Sequence, residues 1–303
     1  MRDIFIHIAL LLGMPPLLLG VINKTKALFA GRKGPPLLQP YYDLFKLTRK
    51  HVVISEVTTW VFTAAPVITL TALLIAGILV PQGPFRAPLG FTGDLILFAY
   101  LLGLGRFFTT TAALDTGSAF EGMGAAREAT FACMSEPALF FALLVLAKMS
   151  GSLVLGDLLH APLVTTGWEA EAAPLVLVAV GLFILLLAEN CRIPVDDPNT
   201  HLELTMIHEV MVLDHSGPLL GLVLYGAAIK LFVLSSVFLH IVAPFQSGRA
   251  GLDWLAFVGE MLGVAVAIGV VESVMARLQM RHVNYLLIAA ILFCGFGFVL
   301  LVR

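Results

Sequence analysis

Residues 188–217 read AENCRIPVDDPNTHLELTMIHEVMVLDHSG and separate two long apolar segments of the chain. The stretch contains seven acidic or basic side chains and three histidines: Glu189, Arg192, Asp196, Asp197, Glu203, Glu209, Asp214, His201, His208 and His215. Charge this dense beside a lipid bilayer is costly unless it meets water, a partner protein or opposite charges. We therefore interpret this loop as the site around which the apolar helices are arranged.

The composition around the loop is that of a polytopic membrane protein. Of 303 residues, 59% are hydrophobic and only 13% are charged, and the mean hydropathy is +0.97. Soluble globular proteins of this length are far less apolar. The net charge of −2 indicates neither nucleic acid nor an anionic membrane surface as a bulk partner.

Windows of about twenty apolar residues predict an all-α integral membrane protein with about eight transmembrane helices, since this length crosses roughly 30 Å of hydrocarbon. The windows fall at about 4–22, 60–80, 94–114, 129–149, 173–189, 217–244, 253–273 and 284–302. We treat residues 1–303 as a single polytopic membrane domain. The first window is interpreted as a transmembrane helix rather than a signal peptide, because no small-x-small cleavage site directly closes its long apolar run.

Lysine and arginine are concentrated in the connections that follow odd-numbered spans. The first of these connections contains Lys24, Lys26, Arg32, Lys33, Lys46, Arg49 and Lys50. The positive-inside rule then predicts cytoplasmic loops at about 23–59, 115–128, 189–216 and 274–283, with the long loop between spans 5 and 6. We expect a protein of the cytoplasmic (inner) membrane with both termini outside the cytoplasm.

Glu136 lies within the apolar window of span 4, next to Pro137. An intramembrane carboxylate costs about 2.5–3.5 kcal/mol on insertion scales. The position favours a role in proton relay, and the alternative is a structural pairing with Arg106 or with a backbone group freed near Pro137. Arg106, Lys148 and Glu260 are interpreted as side chains that reach an interface.

The remaining candidates for proton transfer or coupling are ionisable groups of the central loop and of span ends. They are Glu189, Glu203, Glu209, Asp214, Lys230 and Glu272. A helix is predicted to begin near Asn199 and to carry Glu203 and Glu209. A ladder of carboxylates suits a hydrated proton path, a pocket for a quinone head or a docking surface for a soluble partner.

A metal or cluster bound by this chain alone is not predicted. The three cysteines are far apart and form no C-x-x-C spacing. In a continuous helix His201, His208 and His215 would share one face, but hydrogen bonds to nearby carboxylates are the favoured interpretation. The pair His208-Glu209 lacks the second histidine of a zinc-protease motif.

Three groups of residues carry a resemblance to a known family. The first loop contains Gly34-Pro35, Leu38-Gln39, Asp43 and Lys46-Leu47. The segment before and into span 4 contains Gly124-Ala125-x-Arg127 and then Glu136. The central loop has an E-x-x-R-x-P-x-D-x-P core at Glu189, Arg192, Pro194, Asp196 and Pro198. Along essentially the whole chain these motifs resemble the subunit 1 family of respiratory complex I and its relatives in group 4 [NiFe]-hydrogenases.

The hydrogenase branch, which includes hydrogenase-4 and formate hydrogenlyase, is the more similar one. Complex I members carry further acids after the core, where this chain has Asn199 and His201 and retains only Glu203. The segments LDTGSAFEGMGAAREA and ESVMARL also resemble hydrogenase versions. These differences argue against quinone binding, which the resemblance to complex I otherwise allows.

The resemblance implies a non-catalytic membrane-anchor and coupling subunit of a hydrogenase-type energy-converting oxidoreductase. The [NiFe] centre and the iron–sulfur clusters are then expected on hydrogenase-like large and small subunits at the cytoplasmic side, with antiporter-like membrane subunits alongside. One alternative is the quinone-site subunit of a complex I-like NADH:quinone oxidoreductase. A second is a stand-alone secondary ion transporter, against which the chain shows no convincing internal repeat.

Docking of the soluble arm is assigned to basic, Pro/Gly-rich and motif residues predicted to face the cytoplasm. These are Arg32, Lys33, Gly34, Pro35, Gln39, Asp43, Arg127, Arg192, Asp196 and Arg277. The amphipathic piece at 41–50 also suits a helix lying on the membrane surface.

Overall fold

The computed structural model describes residues 2–160, 164–166, 168, 171–196 and 206–302. Within these ranges all regular structure is helical, and seven helices are long and apolar enough to cross a membrane. A bent helix pair at the N-terminal end adds an eighth span when it is counted as one. The predicted all-α membrane fold with about eight spans is therefore confirmed.

The helices follow the predicted windows closely. They are α1 (Arg2–Gly13), α2 (Pro15–Phe29), α3 (Gln39–Thr48), α4 (Trp60–Leu79), α5 (Asp94–Asp115), α6 (Ala119–Ser150), α7 (Leu155–Leu158), α8 (Ala172–Glu189), α9 (Gly217–Val242), α10 (Ala250–Val274) and α11 (Met280–Val302). The largest difference is at α6, which starts ten residues before the predicted window at 129. Residues 119–128, predicted as part of a loop, are therefore helical.

The first span is broken rather than continuous. α1 and α2 meet at an angle of 48° around Met14, where Pro15 and Pro16 follow directly. Proline has no N–H to donate and its ring clashes with the preceding turn, so a helix kinks there. The prediction of an unbroken span at 4–22 is corrected at this point.

Two tyrosines from other helices satisfy backbone carbonyls at the break. The hydroxyl of Tyr225 on α9 donates to the carbonyl oxygen of Leu12 at 2.7 Å. The hydroxyl of Tyr41 on α3 donates to the carbonyl oxygen of Gly13. These bonds tie the amphipathic α3 and the long α9 to the break.

The connection between α8 and α9 is described at residues 190–196 and 206–216. Glu209–Val212 forms one short 3₁₀ helix, and turns lead from it to α9. No continuous helix therefore aligns His208 with His215, which removes the basis for a histidine stripe between them. The predicted helix start near Asn199, together with His201 and Glu203, lies outside the described residues.

The 3₁₀ segment packs directly on α6. A Cβ atom added to Gly124 would lie 2.4 Å from Cγ1 of Val210 and 3.0 Å from the carbonyl oxygen of Ile207. Only glycine permits this approach, so the Gly-Ala-x-Arg motif at 124–127 has a packing role here. The contact holds the end of the connection against the helix that carries Glu128 and Glu136.

Candidate functional site

Arg106 on α5 pairs with three carboxylates of neighbouring helices. Its Nε lies 3.1 Å from Oε1 of Glu128, and its Nη1 lies 2.5 Å from Oε1 of Glu136. Its Nη2 lies 2.5 Å from Oε1 of Glu189. The planar guanidinium offers several donors in fixed directions, which lets one cation bridge carboxylates from α6 and α8.

Glu189 has a second cation and a hydroxyl as partners. Its Oε2 lies 2.7 Å from Nζ of Lys230 on α9, and Ser135 Oγ donates to Oε1 at 2.6 Å. Lys230 is thirteen residues after Gly217, the first residue of α9, or about 20 Å along the helix. The C-terminal end of α8 therefore lies deep in the bundle, and the connection to α9 starts there rather than at a membrane surface.

His208 extends this group of charges toward the connection. Its Nδ1 lies 3.5 Å from Oε2 of Glu128. We call the resulting set the Arg106 cluster, and its members are Arg106, Glu128, Glu136, Glu189, His208 and Lys230. It contains two basic side chains, one histidine and three carboxylates, so its formal charge is −1 while the histidine is neutral. Uptake of a single proton brings the formal charge of the cluster to zero.

A second ionic group joins α2, the connection and α10. Glu272 Oε2 lies 2.7 Å from Nζ of Lys26, and Glu272 Oε1 lies 3.4 Å from Nη1 of Arg192. The side chain of Glu272 is fully buried. Arg192 follows Glu189 by three residues, so one short stretch of backbone links this group to the Arg106 cluster.

Further polar contacts fix both described parts of the connection. Asp196 Oδ1 lies 2.8 Å from Nη2 of Arg277, and Asp196 Oδ2 accepts the N–H of Ile207 at 3.0 Å. Arg127 Nη1 donates to the carbonyl oxygen of Met206 at 2.7 Å. The backbone on each side of residues 197–205 is thus held by side chains from α6 and from the segment before α11.

A cavity of about 430 Å³ ends at these charges. Its polar end is lined by Arg106, Glu128, Arg192, His208 and Lys230. Most of its other lining residues are apolar side chains of α2, α4, α5 and α9, but Asn23, Thr69 and Thr109 also line it, and α3 contributes Asp43 and Leu44. The lining combines apolar side chains with a group of charged side chains, which are the two requirements for a ligand with a hydrophobic tail and a polar head.

The coupling candidates fall into separate places. Glu136, Glu189 and Lys230 belong to the Arg106 cluster, Glu272 forms the second ionic group, and Glu209 lines the cavity. Asp214 is exposed, and its backbone N–H donates to Glu121 Oε1 at 3.0 Å. Glu203 lies outside the described residues.

The docking candidates divide by exposure. Exposed members are Arg32, Lys33, Gly34, Pro35 and Asp43, and partly exposed members are Gln39, Arg127 and Arg277. Arg192 and Asp196 are only 8% and 2% exposed and are paired inside the chain. A direct contact with a soluble partner does not fit their positions, because their charged groups face other parts of the same bundle.

Sequence reasoning missed Glu128 and Lys26 as members of the ionic groups, and it named Arg106 only as an alternative partner of Glu136, a pairing that the structure contains. Arg106 was interpreted as reaching an interface, which is wrong, because its side chain is 10% exposed and paired with three acids. Glu128 was placed in a predicted loop, and Lys26 was counted only as a loop charge. The signal in the sequence was the position of Arg106, twelve residues into an apolar window, where an arginine requires buried counter-charges.

Within the described ranges, no group of three or more His, Cys, Asp or Glu side chains is arranged to hold a metal ion. The two described histidines of the connection between α8 and α9 make contacts of other kinds. His208 faces Glu128, and His215 stacks on Phe62 with ring centroids 4.0 Å apart. Burial lowers the pKa of His215 from its ordinary value, so this side chain is neutral near pH 7.

Comparison with known proteins agrees with the motifs and the fold. The family described as NADH dehydrogenase matches residues 2–303. The chain belongs to the NADH dehydrogenase family. The chain is 30% identical over 306 residues to formate hydrogenlyase subunit 4 of Escherichia coli K12, and the match covers 98% of the chain and 95% of the relative. It is 32% identical over 289 residues to hydrogenase-4 component C of the same organism, covering 91% and 89%.

Similarity to the complex I branch of the NADH dehydrogenase family is more limited in extent. The H subunit of NADH-quinone oxidoreductase from Bordetella avium is 30% identical over 217 residues, covering 68% of this chain and 59% of that protein. A chain of the archaeal membrane-bound sulfane sulfur reductase has the same fold, with a TM-score of 0.79, 22% identity and 99% coverage of both chains. The resemblance inferred from the motifs is confirmed, and the chain is a multi-pass membrane protein.

Proposed function

We propose that this chain is the membrane-anchor and coupling subunit of a hydrogenase-type energy-converting oxidoreductase. Nearly full-length similarity to two hydrogenase membrane subunits supports this branch, whereas the match to the NADH-quinone oxidoreductase relative covers about two thirds of the chain. In this proposal the chain is not itself catalytic. The [NiFe] centre and the iron–sulfur clusters belong to large and small partner subunits, and antiporter-like subunits adjoin it in the inner membrane.

The observation that carries the coupling role is the charge balance of the Arg106 cluster. Its three carboxylates and two cations leave one negative charge that a proton neutralises. Glu189 belongs to this cluster and is also the last residue before the connection to α9. A partner that shifts the connection therefore changes the distances from Glu189 to Arg106 and Lys230, and with them the tendency of the cluster to take up a proton.

Docking is proposed for the basic residues of the first connection, because Arg32 and Lys33 are exposed. Lys24 also donates to the carbonyl oxygen of Lys33 at 2.7 Å, which adds a third cation to this patch. An acidic surface on a soluble subunit is the complementary partner. Arg192 is not part of this docking proposal because it is buried against Glu272.

The second candidate is the quinone-site subunit of a complex I-like enzyme, and the 430 Å³ cavity is the observation that favours it. The walls suit an isoprenoid tail, and the charged end suits a quinone head. The hydrogenase proposal uses the same cavity as a hydrated space through which the Arg106 cluster exchanges protons. The two functions differ in whether quinone is required for turnover.

Purification from membranes in mild detergent tests the subunit role. We expect the tagged chain to copurify with iron–sulfur proteins, and we expect Arg32→Glu/Lys33→Glu to lower the retained amount of the catalytic subunits. Arg86→Glu/Arg249→Glu is the matched control, because both arginines are exposed but are predicted to face the opposite side. Equal retention in both double variants would reject the docking role. A chain that purifies alone and transports ions would instead be a stand-alone transporter.

A further inference from the structure

Glu260 is an intramembrane carboxylate that has no partner in the described part of its own chain. No cation and no hydrogen-bond donor among the described residues acts on it, and only burial affects it. This distinguishes it from Glu136, Glu189 and Glu272, which all have cations within 3.4 Å.

Glu260 lies near the middle of α10 (Ala250–Val274). It is ten residues after Ala250, the start of α10, and therefore about 15 Å along the helix. It also lies six residues, or about 9 Å, beyond Trp254, whose indole N–H donates to Oδ1 of Asp3 at 3.5 Å, at the start of α1. A glutamate side chain is too short to reach either end of α10 from there, which argues against the interpretation of Glu260 as an interfacial side chain.

The helix face around Glu260 is made of small residues. Ala256, Gly263 and Ala267 precede or follow Glu260 by four, three and seven residues, which places all four on one side of α10. Gly263 and Ala267 are exposed, and no atom lies within 4 Å of a Cβ added to Gly263. The opposite side of α10 is already occupied, because Gly269 packs on Thr25 of α2.

Small residues spaced by four let a second helix approach closely inside a bilayer. An unpaired carboxylate on the same face favours a second helix that carries a basic side chain. Leaving the carboxylate ionised against lipid costs about 2.5–3.5 kcal/mol, and a basic side chain placed opposite removes most of this penalty. A second copy of this chain does not fit, because a two-fold interface on this face would bring two Glu260 side chains together.

We propose that the Ala256–Glu260–Gly263–Ala267 face of α10 docks one transmembrane helix of a different membrane subunit, and that a lysine or arginine of this helix pairs with Glu260. The inference rests on the proposed function only in requiring that the complex contains other membrane subunits. The partner helix is recognised by its chemistry: a basic residue within its apolar span, with small residues about one turn away on the same side.

Photo-crosslinking in the intact complex tests the identity of the occupant. A photoreactive residue at Gly263 is expected to crosslink to a transmembrane segment that has a lysine or arginine within one helical turn of the crosslinked residue. Phe296 on α11, which is 59% exposed, is the control position for lipid contact. A crosslink between two copies of this chain, a crosslink to a segment without a basic residue, or reaction with lipid alone would each overturn the proposal.

Substitutions test the contact by its energetics. Gly263→Leu fills the space that the partner helix needs, and we expect retention of that subunit in detergent to fall about tenfold. Gly295→Leu on α11 is the matched control, since a Cβ at this glycine also meets nothing within 4 Å. Glu260→Lys is expected to release the partner, and replacing the partner's basic residue by glutamate is expected to restore it.

Two results separate this inference from the proposed function. If the wild-type complex retains its catalytic subunits and Gly263→Leu and Glu260→Lys retain every membrane subunit, the docking face is wrong and the function stands. If the wild-type chain purifies without any oxidoreductase subunit, both are wrong. The open space at Gly263 accommodates a leucine side chain without a clash inside the chain, and an unchanged thermal unfolding midpoint of the Gly263→Leu chain checks that it folds.

Discussion

Arg106 is the residue on which the candidate site depends. Its guanidinium is the shared partner of Glu128, Glu136 and Glu189, so the three acids are held within a few ångströms of one another. Removing one partner of a buried ion pair typically costs about 3–5 kcal/mol, because the remaining charges stay buried. The three acids therefore share one counter-charge, and a change at Arg106 affects all of them.

Glu136 is the most exposed acid of this cluster, since its side chain is 50% exposed and contacts Arg106 through one oxygen. Glu136→Gln keeps the shape and can still accept a bond from Arg106, but it cannot ionise. We expect assembly and electron transfer to soluble dyes to remain intact, while physiological turnover or ion movement falls. The measurement compares dye reduction with ion uptake in vesicles.

Glu171→Gln, at an exposed carboxylate just before α8, is the control for Glu136→Gln. Wild-type ion movement in the Glu136 variant would reassign Glu136 to structure. Loss of assembly would support the alternative in which Glu136 mainly stabilises Arg106.

His215 predicts a pH dependence of stability. Burial lowers its pKa in the folded chain below the unfolded value of about 6.5. As the pH falls through 6.5 the unfolded state binds this proton first, so the free energy of unfolding decreases. We expect the thermal unfolding midpoint in detergent to be lower at pH 5.5 than at pH 7.5, and His215→Gln to reduce this decline. His51→Gln, at an exposed histidine, is expected to keep it; an undiminished decline in His215→Gln would contradict the assignment.

At the scale of single elements, the sequence predicted the spans but not the break in the first one. Apolar windows determine where a helix crosses the membrane, and every predicted window corresponds to a helix or to the bent pair α1–α2. The dipeptide Pro15-Pro16 signalled a kink, but the groups that stabilise it come from α3 and α9. Such contacts depend on how distant helices pack, and the spacing of apolar residues in the sequence does not encode that packing.

The contribution of Tyr225 to the break can be tested directly. Tyr225→Phe leaves the carbonyl oxygen of Leu12 without its donor, and an acceptor left unsatisfied away from water costs about 1–3 kcal/mol. We expect a lower thermal unfolding midpoint for the purified chain. Tyr285→Phe on α11 is the control, because Tyr285 is 68% exposed. Equal midpoints for the two variants would show that the hydroxyl of Tyr225 does not stabilise the break.

The connection between α8 and α9 shows that sequence patterns do not predict long-range contacts at the candidate site either. Its density of charge predicted a functional region, and its described parts do contact the Arg106 cluster. No pattern in the sequence indicated that α8 ends deep in the bundle, because that depth follows from the pair of Glu189 with Lys230, residues separated by 41 positions. Long-range ion pairs of this kind become visible only once the helices are packed.

At the scale of the whole molecule, the distribution of lysine and arginine predicts the orientation in the membrane. In a variant lacking Cys133, Cys191 and Cys294, a cysteine placed at exposed Lys33 should react with a membrane-impermeant reagent only after the cells are permeabilised. A cysteine at exposed Arg249, on the side predicted to face outward, is the control and should react in intact cells. Ready labelling at position 33 from outside would invert the predicted orientation.

The role of the molecule in its complex depends on whether the cavity binds quinone. The cavity ends at charged groups that suit hydration, and His208 is among them. Histidine is the side-chain type best suited to proton exchange at physiological pH. The segment that follows the E-x-x-R-x-P-x-D-x-P core lacks acids found in complex I relatives. These features favour a cavity that exchanges protons over a cavity that binds quinone from the lipid.

Activity of the intact complex with and without quinone tests this account most directly. We predict that the purified complex evolves or consumes hydrogen without added quinone, and that quinone-site inhibitors leave its rate unchanged. Inhibitor-sensitive activity that disappears when quinone is extracted and returns when quinone is added would contradict the account and establish the quinone-site alternative.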